Sequence, residues 1–355
     1  MSYSSLLRCL LSPALPFMAL LAASSLLPAA EPLKPLSPAV KLRACVFDPV
    51  GANGPVANMA KDLMLDARRW GLDVQLRTYP DERIAAEDFK AGQCEIVGLS
   101  SLRAKQFNRQ VGSIDAPGNL RSYEELRTLV RAMAHPAFAP MSIAGRYQVA
   151  GVLPIGALFV MVRDRSINSI EKAAGKKVAV LDWDPSQAKM ISAIGAQPVA
   201  SDITSFAGKF NNGQVDIIAA PAMAYQPLEL YRGVGSKGGV IRFPLLQATG
   251  TILIRRDLVL PKIPDLDERL LQLRDYGLRF IDDFIVRLKA AEAAMPKDVW
   301  IELSDAEKAK YSRMLREARL RMTADGVYDT SVMNLLRKVR CKHEPSNEEC
   351  SLFDE

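Results

Sequence analysis

Histidine is close to absent: His135 and His343 are the two in 355 residues. A Ser-His or Cys-His nucleophile needs an imidazole beside it, so one of these two would have to reach a cleft. No GxSxG turn surrounds Ser100 or Ser101, which argues against a hydrolase serine. No CxxC pair occurs, and His343 is the one histidine near the tail cysteines, so a zinc site is not expected. The glycine loop at 48–54 is neither GxGxxG nor a P-loop, and it lacks the phosphate-binding lysine. Lys/Arg blocks are missing too. The formal charge of +6 is spread through interspersed acids and bases, which is not a nucleic-acid footprint. After the first thirty residues, no stretch is long and apolar enough to cross a bilayer. These absences predict a chain that is not an enzyme, holds no cofactor or metal, and does not bind nucleic acid.

Residues 1–30 carry one base, Arg8, and no acid. An apolar run from Ala14 to Leu27 ends in Ala29-Ala30 before Glu31, the pattern of a cleaved secretory signal peptide. This predicts a soluble, exported chain of about 325 residues, enough for two lobes of ordinary size. Four cysteines remain, an even number that favours disulfides in an exported protein. Cys341 and Cys350 bracket a polar loop and predict a local staple. Cys45 and Cys94 each belong to a predicted strand, and adjacent strands would bring them together. The last fifteen residues are polar and are expected to be loose apart from that staple.

From Lys41 onward, strand and helix patterns alternate. Strands are predicted over 42–47, 73–79 and 94–99, with a helix starting at Pro55 and a second capped by Asp81. Such spacing means right-handed crossovers and a parallel sheet. A second run of the same kind places strands at 176–181, 197–200 and 215–220. Residues 143–163 read as two crossing strands, and 239–244 with 250–255 as two returning ones. Helices follow at 266–294, 305–324 and 331–339. The bases of 308–321, Arg316 and Arg319 among them, read mostly as a solvated face. The expected architecture is a two-lobed α/β binding-protein fold with crossover strands and C-terminal helices. Lobe 1 takes 41–160 plus 239–294, lobe 2 takes 161–238, and 295–355 forms the C-terminal helices and clipped tail.

Ligands of open α/β sheets sit beyond the carboxyl ends of the strands. Here those ends offer Asp48, Asn53 and Gly54, then Ser100 and Ser101, then Asp182, Trp183 and Asp184, then Tyr225. The 48–54 loop has backbone amides suited to a polar headgroup, or it is an ordinary tight turn. Ser100 and Ser101 offer hydroxyls to a ligand or cap the next helix. Two carboxylates flanking an indole suit an amine by charge and cation–π attraction. The other reading buries Trp183 between the lobes and makes one aspartate a helix cap. Tyr225 stacks on a ligand or fills core. Arg163 pairs with a ligand carboxylate or with Asp164 or Glu171 at the surface.

Ile167 to Glu171 with Gly175 to Val178, Gly195 to Val199, and Phe210 to Asp216 resemble segments of the periplasmic solute-binding proteins of tripartite ATP-independent (TRAP, DctP-type) transporters. The resemblance implies a periplasmic protein that captures a small polar solute between two lobes for inner-membrane transporter subunits. That family's carboxylate-clamping arginine falls at Ala179, which puts an organic acid in doubt. A closer likeness is to the AdeT-type solute-binding proteins, carried by Cys45 to Pro55, by Gly92 to Glu95 and by the tail cysteines. Members of that group are often labelled efflux components. Without transmembrane helices this chain cannot itself pump. The second functional expectation is therefore a non-transport adaptor of an efflux-associated envelope complex, docking through its C-terminal helices.

Overall fold

The computed structural model describes residues 34–355 apart from Phe353; the segment read as a signal peptide lies outside the described residues. Strands β1 (Val40–Phe47), β2 (Leu72–Tyr79) and β3 (Ile96–Ser100) come first. A short β4 (Ile143–Ala144) precedes the long β5 (Tyr147–Val162). Then come β6 (Lys177–Leu181), β7 (Gln197–Ser201), β8 (Ile217–Pro221), the long β9 (Gly239–Arg255) and a short β10 (Trp300–Ile301). The helices are α1 (Pro55–Arg68), α2 (Glu82–Lys90), α3 (Ser101–Ala104), α4 (Arg109–Gly112), α5 (Tyr123–Ala134) and α6 (Pro185–Ala193). They continue with α7 (Phe206–Asn211), α8 (Leu230–Val234), α9 (Arg256–Val259), α10 (Leu266–Ala293), α11 (Asp305–Ala324) and α12 (Thr330–His343).

The strands form one mixed sheet, ordered β2-β1-β3-β9-β5-β8-β6-β7, with β4 on β5 and β10 on β9. Pairing is parallel within β2-β1-β3 and within β8-β6-β7, as the alternating pattern predicts. The two sets are joined by β5 and β9, which run antiparallel to each other. Here the structure corrects the sequence reading. Residues 239–255 are a single strand of 17 residues, not two, while the two strands within 143–163 are a two-residue β4 and a 16-residue β5. The Gly and Pro that read as breaks are absorbed as register shifts, one of them between Pro154 and Gly156. Gly156 has φ +125°, a conformation that strains any residue with a Cβ.

That long pair decides where the strand ends go. Ser100, the last residue of β3, is opposite Gly250, and Gly250 is opposite Leu153. Pro221, the last residue of β8, is opposite Leu158. The carboxyl ends of the two parallel sets therefore converge on the middle of β5 and β9, from opposite directions.

Local sequence explains the elements. Asp81 accepts from the Arg83 amide at 2.8 Å and starts α2. Ser122 and Glu125 make a reciprocal capping box at the start of α5, a helix the sequence reading did not assign. Phe89, Val97, Leu126, Leu129 and Leu253 form the main core, and Phe159, Phe210, Ile218 and Trp300 a second one. Both expected bridges are present, Cys45–Cys94 and Cys341–Cys350.

The tail is not loose. Arg319 and Arg340 are buried and share Glu349 and Glu355. Arg319 Nη1 also donates to Pro117 O at 2.7 Å, and Arg340 Nη1 to Asn119 O at 2.8 Å. Arg316 pairs with Asp354 at 2.5 Å. So Arg319, read as part of a solvated face, is 1% exposed and binds the chain end to the loop before α5. The reason is pairwise: alternating charges look solvated until their partners arrive from elsewhere in the chain.

Candidate functional site

Two adjoining spaces lie where the strand ends converge. The interior one is a chamber of ≈ 430 Å³. Its walls come from β5 and β9 (Leu153, Ile155, Leu158, Leu246, Thr249), from α1 (Val56, Met59, Leu63) and from β6 with α6 (Val178, Ala179, Val180, Met190, Ile191). The second, here called the mouth, is a polar space of ≈ 310 Å³ lined by Asp81, Glu82, Arg83, Arg103, Asp182, Trp183, Asp202, Ile203 and Thr204. Ile203 is common to both. Every mouth residue follows the end of a strand: β2, β3, β6 or β7.

The structure distributes the sequence-predicted residues unevenly. Asp48 is fully buried at the chamber wall, with its carboxylate accepting from the Val50 amide at 2.8 Å and the Ala57 amide at 2.9 Å. It therefore shapes the loop and starts α1. Gly54 is required beside it, because a Cβ there would sit 2.1 Å from Asp48 Oδ1. Asn53 is exposed, and its carbonyl accepts from Asn58 Nδ2 at 3.2 Å. Ser100 lines the chamber and caps α3 through the Arg103 amide at 3.2 Å. Ser101 is buried and bonded to Thr251 Oγ1 and Thr249 Oγ1, each at 2.7 Å.

Asp182 is exposed at the mouth. Trp183 lies beside it, and its indole Nε1 is buried with no hydrogen-bond partner. Asp184 caps α6 through the Ser186 amide at 3.2 Å and has Lys105 Nζ at 4.0 Å. Five predicted residues line neither space: Asn53, Gly54 and Ser101 stand close to lining residues in sequence, and Arg163 and Tyr225 lie elsewhere. Arg163 lies past the far end of β5, donates to Phe210 O at 2.7 Å and packs under Gly213. Tyr225 belongs to the second core, with its ring 6.3 Å from that of Tyr231.

Sequence reasoning passed over the ends of β2 and β7. The strand-end rule would have reached Glu82, Asp202 and Thr204 had it been applied to those two strands as well. Arg103, inside the strand-end stretch Ser100 to Arg103 but not chosen as a lining residue, is the central mouth residue. Its guanidinium stands 3.9 Å over the Trp183 ring, and its Nε is 3.6 Å from Glu82 Oε2. Glu82 is nearly fully buried, and the loss of water pushes its carboxyl up to about 7 despite the Ser100 amide and Arg103. In the chamber, Asp115 accepts from the Thr249 hydroxyl at 2.6 Å and amide at 3.0 Å. Burial pushes Asp115 up to about 7 too. Asp115, Thr249 and Thr251 gave no motif in sequence; β9 supplies the two threonines and the turn after α4 supplies Asp115.

His135 and His343 line neither space. His135 accepts from the Ala137 amide and His343 meets Thr128. Among the described residues, no cluster of His, Cys, Asp and Glu is arranged to hold a metal, and no helix is long and apolar enough to cross a membrane.

The family model for the solute-binding proteins AdeT 1/2 matches residues 64–355. The probable solute-binding protein AdeT1 of Acinetobacter baumannii is 40% identical over 310 residues, 87% of this chain and 100% of the relative. The chain belongs to the AdeT 1/2 solute-binding protein family. AdeT2 of the same organism is 25% identical, over 68% of this chain and 99% of its own length. Among solved structures, this AdeT-family chain shares its fold with TRAP periplasmic solute binding proteins. One from Desulfovibrio salexigens, with bound orotic acid, has a TM-score of 0.69 at 14% identity, covering 85% of this chain and 99% of the other. One from Shewanella oneidensis, with bound succinate, has a TM-score of 0.69 at 11% identity and the same coverage. At such identities the likeness concerns the fold alone.

Proposed function

We propose that this AdeT-family chain captures a small organic solute in the chamber between two lobes and closes over it. Lobe 1 is 41–160 plus 239–294 and lobe 2 is 161–238, with the crossing strands as the connection. The observation that carries this reading is the convergence of strand ends from both parallel sets on one chamber of ≈ 430 Å³. That size lies within the usual range for small-molecule sites. The reading places the protein in the periplasm, as a binding protein and not an enzyme. Its partners are inner-membrane transporter subunits that recognise the closed form. Only a solute with higher affinity for that form can signal occupancy.

Arg103 and Trp183 supply the contact across the mouth. One comes from the first parallel set and the other from the second, and their stacking favours closure by about 0.5–2 kcal/mol. The adaptor reading calls for a cleft filled by the protein's own side chains, and a chamber of ≈ 430 Å³ argues against it.

The test is a thermal-shift screen of the chain lacking residues 1–30 across organic acids, amines and aminosugars, with Trp183 emission followed for every hit in a Trp70→Phe, Trp300→Phe background. A saturable hit that raises the melting temperature and alters Trp183 emission supports the reading. A screen in which no solute does both contradicts it.

A further inference from the structure

The chamber is chemically one-sided. Among the described residues its lining includes Asp48, Asp115 and Asp184, and no lysine, arginine or histidine. The arginines near it, Arg83 and Arg103, belong to the mouth. Asp48 already serves the amides of its own loop, and Asp184 serves α6 with Lys105 nearby. Asp115 stands apart from both. It is 2% exposed, it accepts only from Thr249, and among the described residues no cation forms an ion pair with it. Beyond these groups the wall is mostly aliphatic, with Ala179 where a larger or charged side chain would intrude.

Resting on the solute-binding reading above, we propose that the chamber's solute is an apolar or aromatic primary amine. Its ammonium is set against Asp115 and its hydrocarbon body against the aliphatic walls. A carboxylate in this space would lose its water, meet three aspartates and find no cation, the least favourable arrangement for a buried charge. A polycation would satisfy one charge at Asp115 and leave the others against hydrocarbon. A monoamine does neither, and it gives Asp115 the partner that burial denies it. An apolar body gains from leaving water for the aliphatic wall.

The experiment is isothermal titration of the chain lacking residues 1–30 with three isosteric probes: phenethylamine, phenethyl alcohol and hydrocinnamate. Succinate and spermidine are added as polar controls. Phenethylamine is expected to bind about tenfold or more tighter than hydrocinnamate. Asp115→Asn is expected to remove that preference, with a cooperative unfolding transition showing that the variant is folded. Tighter binding of hydrocinnamate, succinate or spermidine than of phenethylamine would overturn the proposal and leave the solute-binding reading standing. An undiminished amine preference in Asp115→Asn would overturn the seat. No binding of any aromatic probe would overturn the apolar occupant, whereas the wider reading is decided by the solute screen.

Discussion

Arg103→Ala probes the contact across the mouth with one change. In the wild type the guanidinium lies 3.9 Å over Trp183, and it is the cation nearest Glu82, at 3.6 Å. Removing it deletes a stacking contact of about 0.5–2 kcal/mol. At 1.36 kcal/mol per decade, the closed-to-open ratio then falls roughly 2- to 30-fold. Glu82 loses its cation as well, and its carboxyl moves further up. The assay is acrylamide quenching of Trp183 emission in a Trp70→Phe, Trp300→Phe background, where the one remaining indole reports on the mouth. Because Trp183 Nε1 is buried in the starting structure, opening must expose it. The account predicts a larger quenching constant and a red-shifted emission for Arg103→Ala, with Arg103→Lys in between because an ammonium cannot stack as a planar guanidinium does. Identical quenching in all three proteins would refute the reasoning, since the contact would then hold nothing closed.

Three further outcomes follow from the packing. The double change Glu349→Ala/Glu355→Ala strands Arg319 and Arg340, so it should lower unfolding stability in denaturant by about 3–5 kcal/mol; a loss under 1 kcal/mol would show the tail to be solvated after all. Loop closure favours the bridge of separation 49 over that of separation 9, so Cys45→Ala/Cys94→Ala should cost about 4 kcal/mol and Cys341→Ala/Cys350→Ala about 3 kcal/mol; the reverse order in urea titrations would contradict this. Folding raises Glu82 from 4.5 to about 7. The folded chain therefore holds that proton more tightly, and the stability it contributes is full below about pH 4.5 and lost as pH rises to about 7. Glu82→Gln should flatten the stability-versus-pH curve across that window by about 3 kcal/mol, and an unchanged slope would show that the carboxyl does not titrate there.

Much of the fold was legible because it is written locally. Helical spacing from Pro55 to Trp70, the Asp81 cap and the strand–helix alternation on either side of residue 160 all follow short-range rules. The returning strand 239–255 was read as two, and only pairing with a neighbour shows that a long strand can pass Pro244 with a register shift. Helix α5 went unassigned although Ser122 and Glu125 carry its capping box. At the site, strand-end logic found Ser100, Asp182 and Trp183 near one gap. It had no means of placing Arg163, whose direction depends on which end of β5 it follows. Asp115 and Thr249 are 134 residues apart in sequence, so their meeting was invisible until the register of β9 was known.

The most direct test of the central claim is native mass spectrometry of the chain lacking residues 1–30, as wild type and as Ala179→Phe, which fills the chamber from β6. The account predicts a one-to-one small-molecule adduct on the wild type, after purification or after incubation with a screening hit. It predicts loss of that adduct in Ala179→Phe at an unchanged unfolding midpoint. Equal adduct on both proteins, or none on the wild type under either condition, would contradict it.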